Sequence, residues 1–220
     1  MTACGIDVNA IAAVLFTHNH SDHYDALETF HKRHPAIPLF ANSLTADAIA
    51  ARTGVHEGWC VFETAEPFEL GPLTVTTFSV PHDATDPVGY LFDDGCSRLF
   101  VGTDMGMATV PVKEAFRRAT CAVLESNHDS ELLKNSGRAP SLIQRISGRC
   151  GHLSNADTAA LIREVAPENL KILLLAHLSG ECNRPFLAEE ASRAALEEIN
   201  CPDVTLSVLN QDEPSDVYEF

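Results

Sequence analysis

The stretch LFTHNHSDHYDAL, residues 15–27, places three histidines and an aspartate within six positions, directly after an apolar run. Side chains two residues apart on an extended segment face the same way, so His18, His20 and Asp22 can converge at the end of a strand. His23 follows at the start of the next helix and can turn in toward them. Imidazoles and carboxylates together are the ligands that a cation such as Zn²⁺ or Mn²⁺ prefers. The spacing HxHxDH therefore predicts a metal site, and the alternative is a histidine-rich surface loop.

Three further ligand candidates follow apolar strands in the same way. They are His82 in SVPHDATDPVGY, Asp104 in RLFVGTDMG and His177 in KILLLAHLS. A polar side chain directly beyond a buried strand is held rigidly at one edge of an α/β scaffold. Each one alone is more often a local hydrogen-bonding residue. Together with HxHxDH, they predict a shared metal centre.

The coarse pattern alternates strands and helices. Strands are predicted at 11–16, 38–41, 121–126, 171–176 and 204–209, with a further run of strands between 59 and 102. Helices are predicted at 24–33, after an N-cap at Ser43, and at 129–147, 155–165 and 186–199. This order favours sheets covered by helices, an α/β layered fold.

The length and composition set the expected organisation. With 220 residues, of which 45% are hydrophobic, the chain can form one sizeable core, so a single domain over 1–220 is expected. An acidic tail is expected at about 210–220. No apolar stretch approaches the ~20 residues of a membrane-spanning helix, and no export signal is recognisable, so no membrane partner is expected. Seven scattered cysteines without a CxxC pair favour free thiols and a cytoplasmic location.

The net charge of −16 argues against a general nucleic-acid coat protein. One segment interrupts the acidity, because residues 132–156 contain no Asp or Glu but include Lys134, Arg138, Arg145 and Arg149. A phosphate-bearing substrate would be attracted there. The alternative is a helix face with solvated arginines.

The series THNHSDH, PHDATDPVGY, GTDMG and AHLS resembles the metal-binding series of the metallo-β-lactamase superfamily in order and rough spacing. The resemblance implies an αββα sandwich with the site along one edge of the two sheets. The implied ligands are His18, His20 and His82 for one metal ion and Asp22, His23 and His177 for a second, with Asp104 bridging the two. The implied cofactors are two divalent ions, zinc or manganese, which can deprotonate a bridging water at neutral pH.

Other stretches are similar to a narrower branch of this superfamily. LESNHD, RISGRCGHLSN and HDATDPVGY resemble the YycJ-type subfamily, which implies 5′→3′ exonuclease activity on DNA and a part in repair. GHLSN resembles the His-Ser element of RNase Z-type phosphodiesterases, so His152 would stabilise the charge at the scissile phosphate or protonate the leaving oxygen. With Asp22, it is the predicted catalytic residue. A helix cap at Ser154 or Asn155 is the alternative for this stretch, and both roles are compatible.

The same resemblance leads to a set of expected substrate contacts. Arg145 and Arg149 precede His152 and could hold a phosphate backbone of DNA or RNA. Asn127 and Ser154 are the other predicted substrate-binding residues. Two further functions stay open: hydrolysis of a small cyclic phosphate, lactone or thioester by the same centre, or an inactive, truncated metal-binding remnant.

The chain departs from the family pattern at its start. The resemblance implies a pair of strands ahead of the HxHxDH strand, yet THNHSDH begins at residue 17. An N-terminally truncated sandwich is therefore expected. The interpretations left open are a fragment, a misplaced start, or a chain whose incomplete sheet edge pairs with a partner or with a second copy of the chain.

Overall fold

Two β-sheets lie face to face in the computed structural model, which describes residues 4–219. The strands are β1 (Val14–Leu15), β2 (Leu39–Asn42), β3 (Trp59–Phe62), β4 (Phe68–Leu70), β5 (Leu73–Ser79), β6 (Val88–Asp93), β7 (Arg98–Gly102), β8 (Cys121–Glu125), β9 (Ile172–Ala176) and β10 (Thr205–Val208). The helices are α1 (Leu27–Arg33), α2 (Ser43–Thr53), α3 (Val110–Phe116), α4 (Ser130–Lys134), α5 (Pro140–Ile146), α6 (Asn155–Val165) and α7 (Pro185–Glu198). None of these helices has the length and apolar character needed to cross a bilayer.

The two sheets differ in size and in strand direction. The smaller sheet has the order β1-β2-β3, and its strands are parallel. The larger sheet has the order β10-β9-β8-β7-β6-β5-β4; β7 to β10 are parallel, and β4 to β7 are antiparallel. The Tyr90 hydroxyl of β6 donates a hydrogen bond to the Phe16 carbonyl just beyond β1. This bond fixes the HxHxDH segment against the larger sheet.

Apolar side chains form the layers between these elements. Phe62 and Tyr90 pack between the two sheets, where Phe40 and Phe68 stack with ring centroids 5.5 Å apart. Phe116 of α3 packs with α6 and α7 against the outer face of the larger sheet, and a separate cluster joins α1 and α2 to the smaller sheet. Burying one such aromatic side chain contributes about 1.5–3 kcal/mol. The layers confirm the αββα sandwich predicted from the sequence.

Several predicted boundaries are wrong near the N-terminal half of the chain. The strand predicted at 11–16 is reduced to the two residues of β1. The helix predicted from residue 24 begins at Leu27, because Ser21–His23 forms a separate 3-10 turn. The N-cap of α2 is Asn42 rather than Ser43, since the Asn42 side chain accepts a hydrogen bond from the Thr45 amide.

Two further differences lie around glycines and prolines. The helix predicted at 129–147 is split into α4 and α5, since Gly137 has a φ of 72° and Pro140 starts a new helix. Strand β4, between Pro67 and Gly71, was not predicted, because three residues are too short for a clear alternation. The single domain over 1–220 stays a prediction.

Candidate metal centre

The candidate site lies where strands of both sheets end. Strands β7, β8 and β9 are parallel, so their carboxyl ends meet at one edge. Asp104 follows β7, Glu125 ends β8 and His177 follows β9. The HxHxDH segment follows β1, and His82 follows β5. The structure thus brings all seven predicted ligands to one place.

One group of donors consists of three histidines. Ring nitrogens of His18, His20 and His82 lie within 4.8 Å of one another. The Nε2 atom of His82 is 3.1 Å from Nδ1 of His20. On its other side, His82 places Nδ1 3.1 Å from the Gly151 carbonyl, which orients the ring with Nε2 toward the cluster. These three nitrogens fit a single cation.

A second group joins Asp22, His23 and His177, whose donor atoms also lie within 4.8 Å of one another. Asp104 lies between the two groups. One of its carboxylate oxygens is 3.4 Å from Nε2 of His23, and the other is 3.7 Å from Nε2 of His82. A bridging position for Asp104 is therefore compatible with the geometry.

Two buried atoms in the cluster lack a hydrogen bond. Nε2 of His18 and Oδ2 of Asp104 make no hydrogen bond within residues 4–219. Leaving a buried polar atom unsatisfied costs about 1–3 kcal/mol, and more for a charged group. Burial, together with the neighbouring histidines, lowers the pKa of His18 to about 2, so its ring is neutral and able to donate a lone pair. The donor set thus fits divalent cations.

The backbone is strained at two of the candidate ligands. Asp104 and His177 have φ angles of 58° and 57°, in the left-handed region. A residue with a side chain costs about 1–3 kcal/mol in such a conformation. Asp104 lies two residues beyond β7 and His177 lies directly beyond β9, so the sharp backbone turn brings their side chains back to the edge of the larger sheet. Strain at these positions is typical of a functional site.

Glu125 is a functional candidate that the sequence reasoning missed. Its side chain is completely buried, and one carboxylate oxygen accepts hydrogen bonds of 2.9 Å from Nδ1 of both His152 and His177. The other oxygen accepts from the Met105 and Leu153 amides. Burial opposes the charge, but the two histidines outweigh it and lower the pKa of Glu125 to about 2. An acidic residue at the end of the apolar strand CAVLE was the available signal.

His152 lies beside the ligand cluster without belonging to the predicted ligands. Its ring centroid is 5.1 Å from that of His82 and 5.2 Å from that of His177. Its amide donates to the Ile146 carbonyl. A Cβ atom at Gly151 would lie 2.1 Å from that same carbonyl oxygen, so only glycine fits before His152. With Nδ1 bound to Glu125, the Nε2 atom is the one left for a substrate.

The four predicted substrate-binding residues have different surroundings. Arg145 is exposed and forms an ion pair of 2.5 Å with Asp83. Arg149 is exposed and is in no ion pair with any other residue between 4 and 219. Asn127 donates to the His177 carbonyl, and Ser154 caps α6 in a reciprocal bond with Asp157. The cap at Ser154 confirms the structural alternative, and contact of any of the four with substrate stays a prediction.

The ligand cluster opens into a groove. A cavity of about 230 Å³ is lined by residues that include His82, Asp104 and His152. It adjoins a larger cavity of about 630 Å³. His20, Asp22, Asp83 and Arg145 line both cavities. We call the two together the groove.

Comparisons with known proteins agree with this geometry. The sequence profile described as "Beta-lactamase superfamily domain" matches residues 3–177. The chain is 33% identical over 196 residues to the exodeoxyribonuclease YycJ of Bacillus anthracis, covering 88% of this chain and 74% of that protein. It is also 33% identical over 181 residues to the exodeoxyribonuclease WalJ of Streptococcus pneumoniae, covering 80% of this chain and 66% of the relative.

A solved structure supports the fold. Zn²⁺-bound PqqB from Methylobacterium extorquens superposes with a TM-score of 0.64 at 19% identity, covering 90% of this chain and 70% of that one. At this identity the likeness concerns the fold alone. Together with the candidate donor groups, these relatives indicate a metal-dependent hydrolase that uses divalent ions.

Proposed function

Since this chain belongs to the β-lactamase superfamily, we propose that it is a phosphodiesterase with two divalent ions, zinc or manganese, that degrades DNA from the 5′ end. The observation that carries the proposal is the Glu125–His152 pair beside the ligand cluster. A histidine held in this way can give a proton to the oxygen that leaves a phosphodiester. The two exodeoxyribonuclease relatives support DNA as the substrate.

The proposed ligands divide as the donor groups do. His18, His20 and His82 would hold one ion, Asp22, His23 and His177 the other, and Asp104 both. When bound, two such ions supply positive charge for the phosphate and lower the pKa of a water molecule toward neutrality. Asp22, the other predicted catalytic residue, is largely exposed at the groove, where its free carboxylate oxygen can accept a proton.

The remaining steps fall to residues of the groove. Glu125 accepts a hydrogen bond from Nδ1 of His152, so Nε2 is the ring atom that would give a proton to the leaving oxygen. Arg145 lies at the same groove and can bind a phosphate oxygen of the DNA backbone.

The test is degradation of an oligonucleotide labelled at one end. We expect the purified chain, loaded with manganese or zinc, to release the 5′-terminal nucleotide first, and to lose this activity with a chelator. RNA of the same sequence, a cyclic nucleotide, a lactone and a thioester are assayed in parallel. Hydrolysis of a small ester without any action on DNA would replace this proposal with the small-molecule alternative. No hydrolysis by chain with two bound ions would support the inactive remnant.

The cellular setting is part of the same proposal. The seven cysteines, all of which are free thiols, favour the reducing cytoplasm. An enzyme that trims DNA ends there would serve DNA repair. Sensitivity of a deletion strain to DNA-damaging agents, restored by the wild-type chain but not by a metal-site variant, is the expected result.

A further inference from the structure

The groove continues well beyond the ligand cluster. The larger cavity shares His20 and Asp22 with the smaller one and is also lined by Ala84, Thr85 and Arg52, which lies in the last turn of α2 and does not line the smaller cavity. Its volume of about 630 Å³ is in the range of sites that hold a whole small ligand, and it is almost three times that of the cavity at the cluster. A substrate larger than one phosphodiester can therefore occupy both.

Hydrogen bonds tie the residues that line only the larger cavity to the ligand cluster. The Thr85 amide donates to Oδ1 of Asn19, which lies between two of the predicted ligands. The Thr85 carbonyl accepts a hydrogen bond of 2.9 Å from the Thr45 hydroxyl in the first turn of α2. Helix α2, and Arg52 with it, is thus tied through one residue to the HxHxDH segment.

Arg52 also has no opposing charge of its own. Within residues 4–219, its guanidinium is in no ion pair. The carboxylates that line the larger cavity are Asp22, a predicted ligand, and Asp83, which pairs with Arg145. An unpaired guanidinium at a groove, in a chain with a net charge of −16, is suited to binding an anion.

We propose that Arg52 forms a second phosphate-binding subsite, which takes the phosphate next to the scissile one in a nucleic-acid strand. This inference rests on the proposed function and adds a specificity to it. The substrate class is a nucleotide chain with at least two phosphates, one at the ligand cluster and one at Arg52. Phosphate contacts of this kind position a strand without reading its sequence.

The first test compares dinucleotides that differ only in one terminal phosphate, placed at the 5′ end in one pair and at the 3′ end in the other. Within each pair, kcat/KM of the wild type is compared with and without the terminal phosphate. We expect one pair to show a value about tenfold higher with the phosphate, as for a charge-assisted contact. Arg52→Ala is expected to bring that ratio close to one, and Arg52→Lys to keep part of it. A ratio unchanged in Arg52→Ala overturns the subsite.

Arg33 provides the matched control. It occupies the last turn of α1 as Arg52 occupies the last turn of α2, it is exposed, and it does not line the groove. Both arginines can stabilise a helix C-terminus, so both alanine variants are expected to show similar small losses in Tm. If Arg52→Ala lowers Tm but keeps the wild-type ratio of kcat/KM with and without the terminal phosphate, Arg52 only stabilises its helix. That result would overturn the proposal.

A binding measurement separates this inference from the proposed activity. A fluorescent phosphorothioate oligonucleotide is titrated onto the metal-loaded chain at several salt concentrations. The slope of log K against log salt is expected to fall by about 0.7 in Arg52→Ala, the value for one lost contact to a single strand, and not in Arg33→Ala. If the wild type cleaves no nucleotide chain, the exonuclease proposal fails, while this slope still decides whether Arg52 binds phosphate.

Discussion

The two sides of the groove are built in opposite ways. On the cluster side, every candidate donor follows a strand end, and Asp104 and His18 are buried. In the other part of the groove lining, which we call the helix side, Arg145 and Arg52 are exposed and belong to helices α5 and α2. The cluster side has orphaned atoms that a cation would satisfy, whereas the helix side offers guanidinium groups at the solvent boundary. The proposed chemistry thus falls to buried residues at strand ends, and the proposed substrate contacts fall to exposed residues of helices.

This difference predicts that substitutions on the cluster side act on all substrates and on metal content. Those on the helix side act on binding of long substrates. A variant of the cluster side that changed only KM, or of the helix side that removed metal, would break the distinction.

The largest effect is expected for Asp104→Asn. This carboxylate lies within 3.7 Å of donors from both histidine groups, so its loss removes charge from both predicted ion positions. We expect both ions to be lost and activity to fall at least ~1000-fold, because the charge stabilisation and the activated water are lost together. Elemental analysis of the purified variant and the end-labelled DNA assay measure the two outcomes.

Asp93→Asn is the control for this charge change. Asp93 ends β6 and pairs with Arg98 at the start of β7, whereas the cluster lies beyond the other end of β7. It should retain two ions and wild-type activity. Two ions per chain in Asp104→Asn would contradict the bridging position.

His152→Ala tests the proposed proton donor while leaving the predicted metal ligands in place. Its ring lies beside the predicted ligands but is held by Glu125, so metal content should be unchanged while kcat falls about 100-fold, as for a lost general acid. A leaving group that needs no proton, such as p-nitrophenolate, should suffer much less. The exposed His56→Ala variant controls for loss of an imidazole, and an equal loss on both leaving groups would exclude the proton-donor role.

Glu125→Gln sharpens the comparison, because this residue supports both a predicted ligand and the proposed acid. The amide side chain keeps the shape of the carboxylate but lacks its negative charge, to which Nδ1 of His152 and Nδ1 of His177 are bonded. Metal affinity is expected to fall about 10–100-fold, as for other residues that orient a ligand. Competition with a chromophoric chelator measures it, with Glu164→Gln on the surface as control. If the metal affinity is unchanged and kcat is reduced, Glu125 supports His152 but not the predicted ligand His177.

The sequence predicted the histidine and aspartate members of the cluster and Arg145 beside it, but it missed Glu125 and Arg52, for a physical reason. HxHxDH and the strand ends fix donor directions within a few residues, because an extended chain alternates its faces. Glu125 was not predicted because its partners, His152 and His177, lie 27 and 52 residues away, and no local sequence pattern indicates these contacts. The Arg145–Asp83 pair spans 62 residues, and Arg52 reaches the groove only through the packing of α2. Such contacts depend on tertiary structure.

The smallest effect is expected for Ser154→Ala, at the N-terminus of α6. Its hydroxyl is committed to the capping box of α6, where it accepts from the Asp157 amide and donates to the Asp157 carboxylate. We expect the free energy of unfolding to fall by about 1 kcal/mol, as for the loss of an N-cap, measured by denaturant titration of the metal-loaded chain. Asp157→Ala removes the other half of the box and should cost a similar amount. If Ser154→Ala instead raises KM for DNA while Asp157→Ala does not, the hydroxyl contacts the substrate and the helix side of the groove extends to α6.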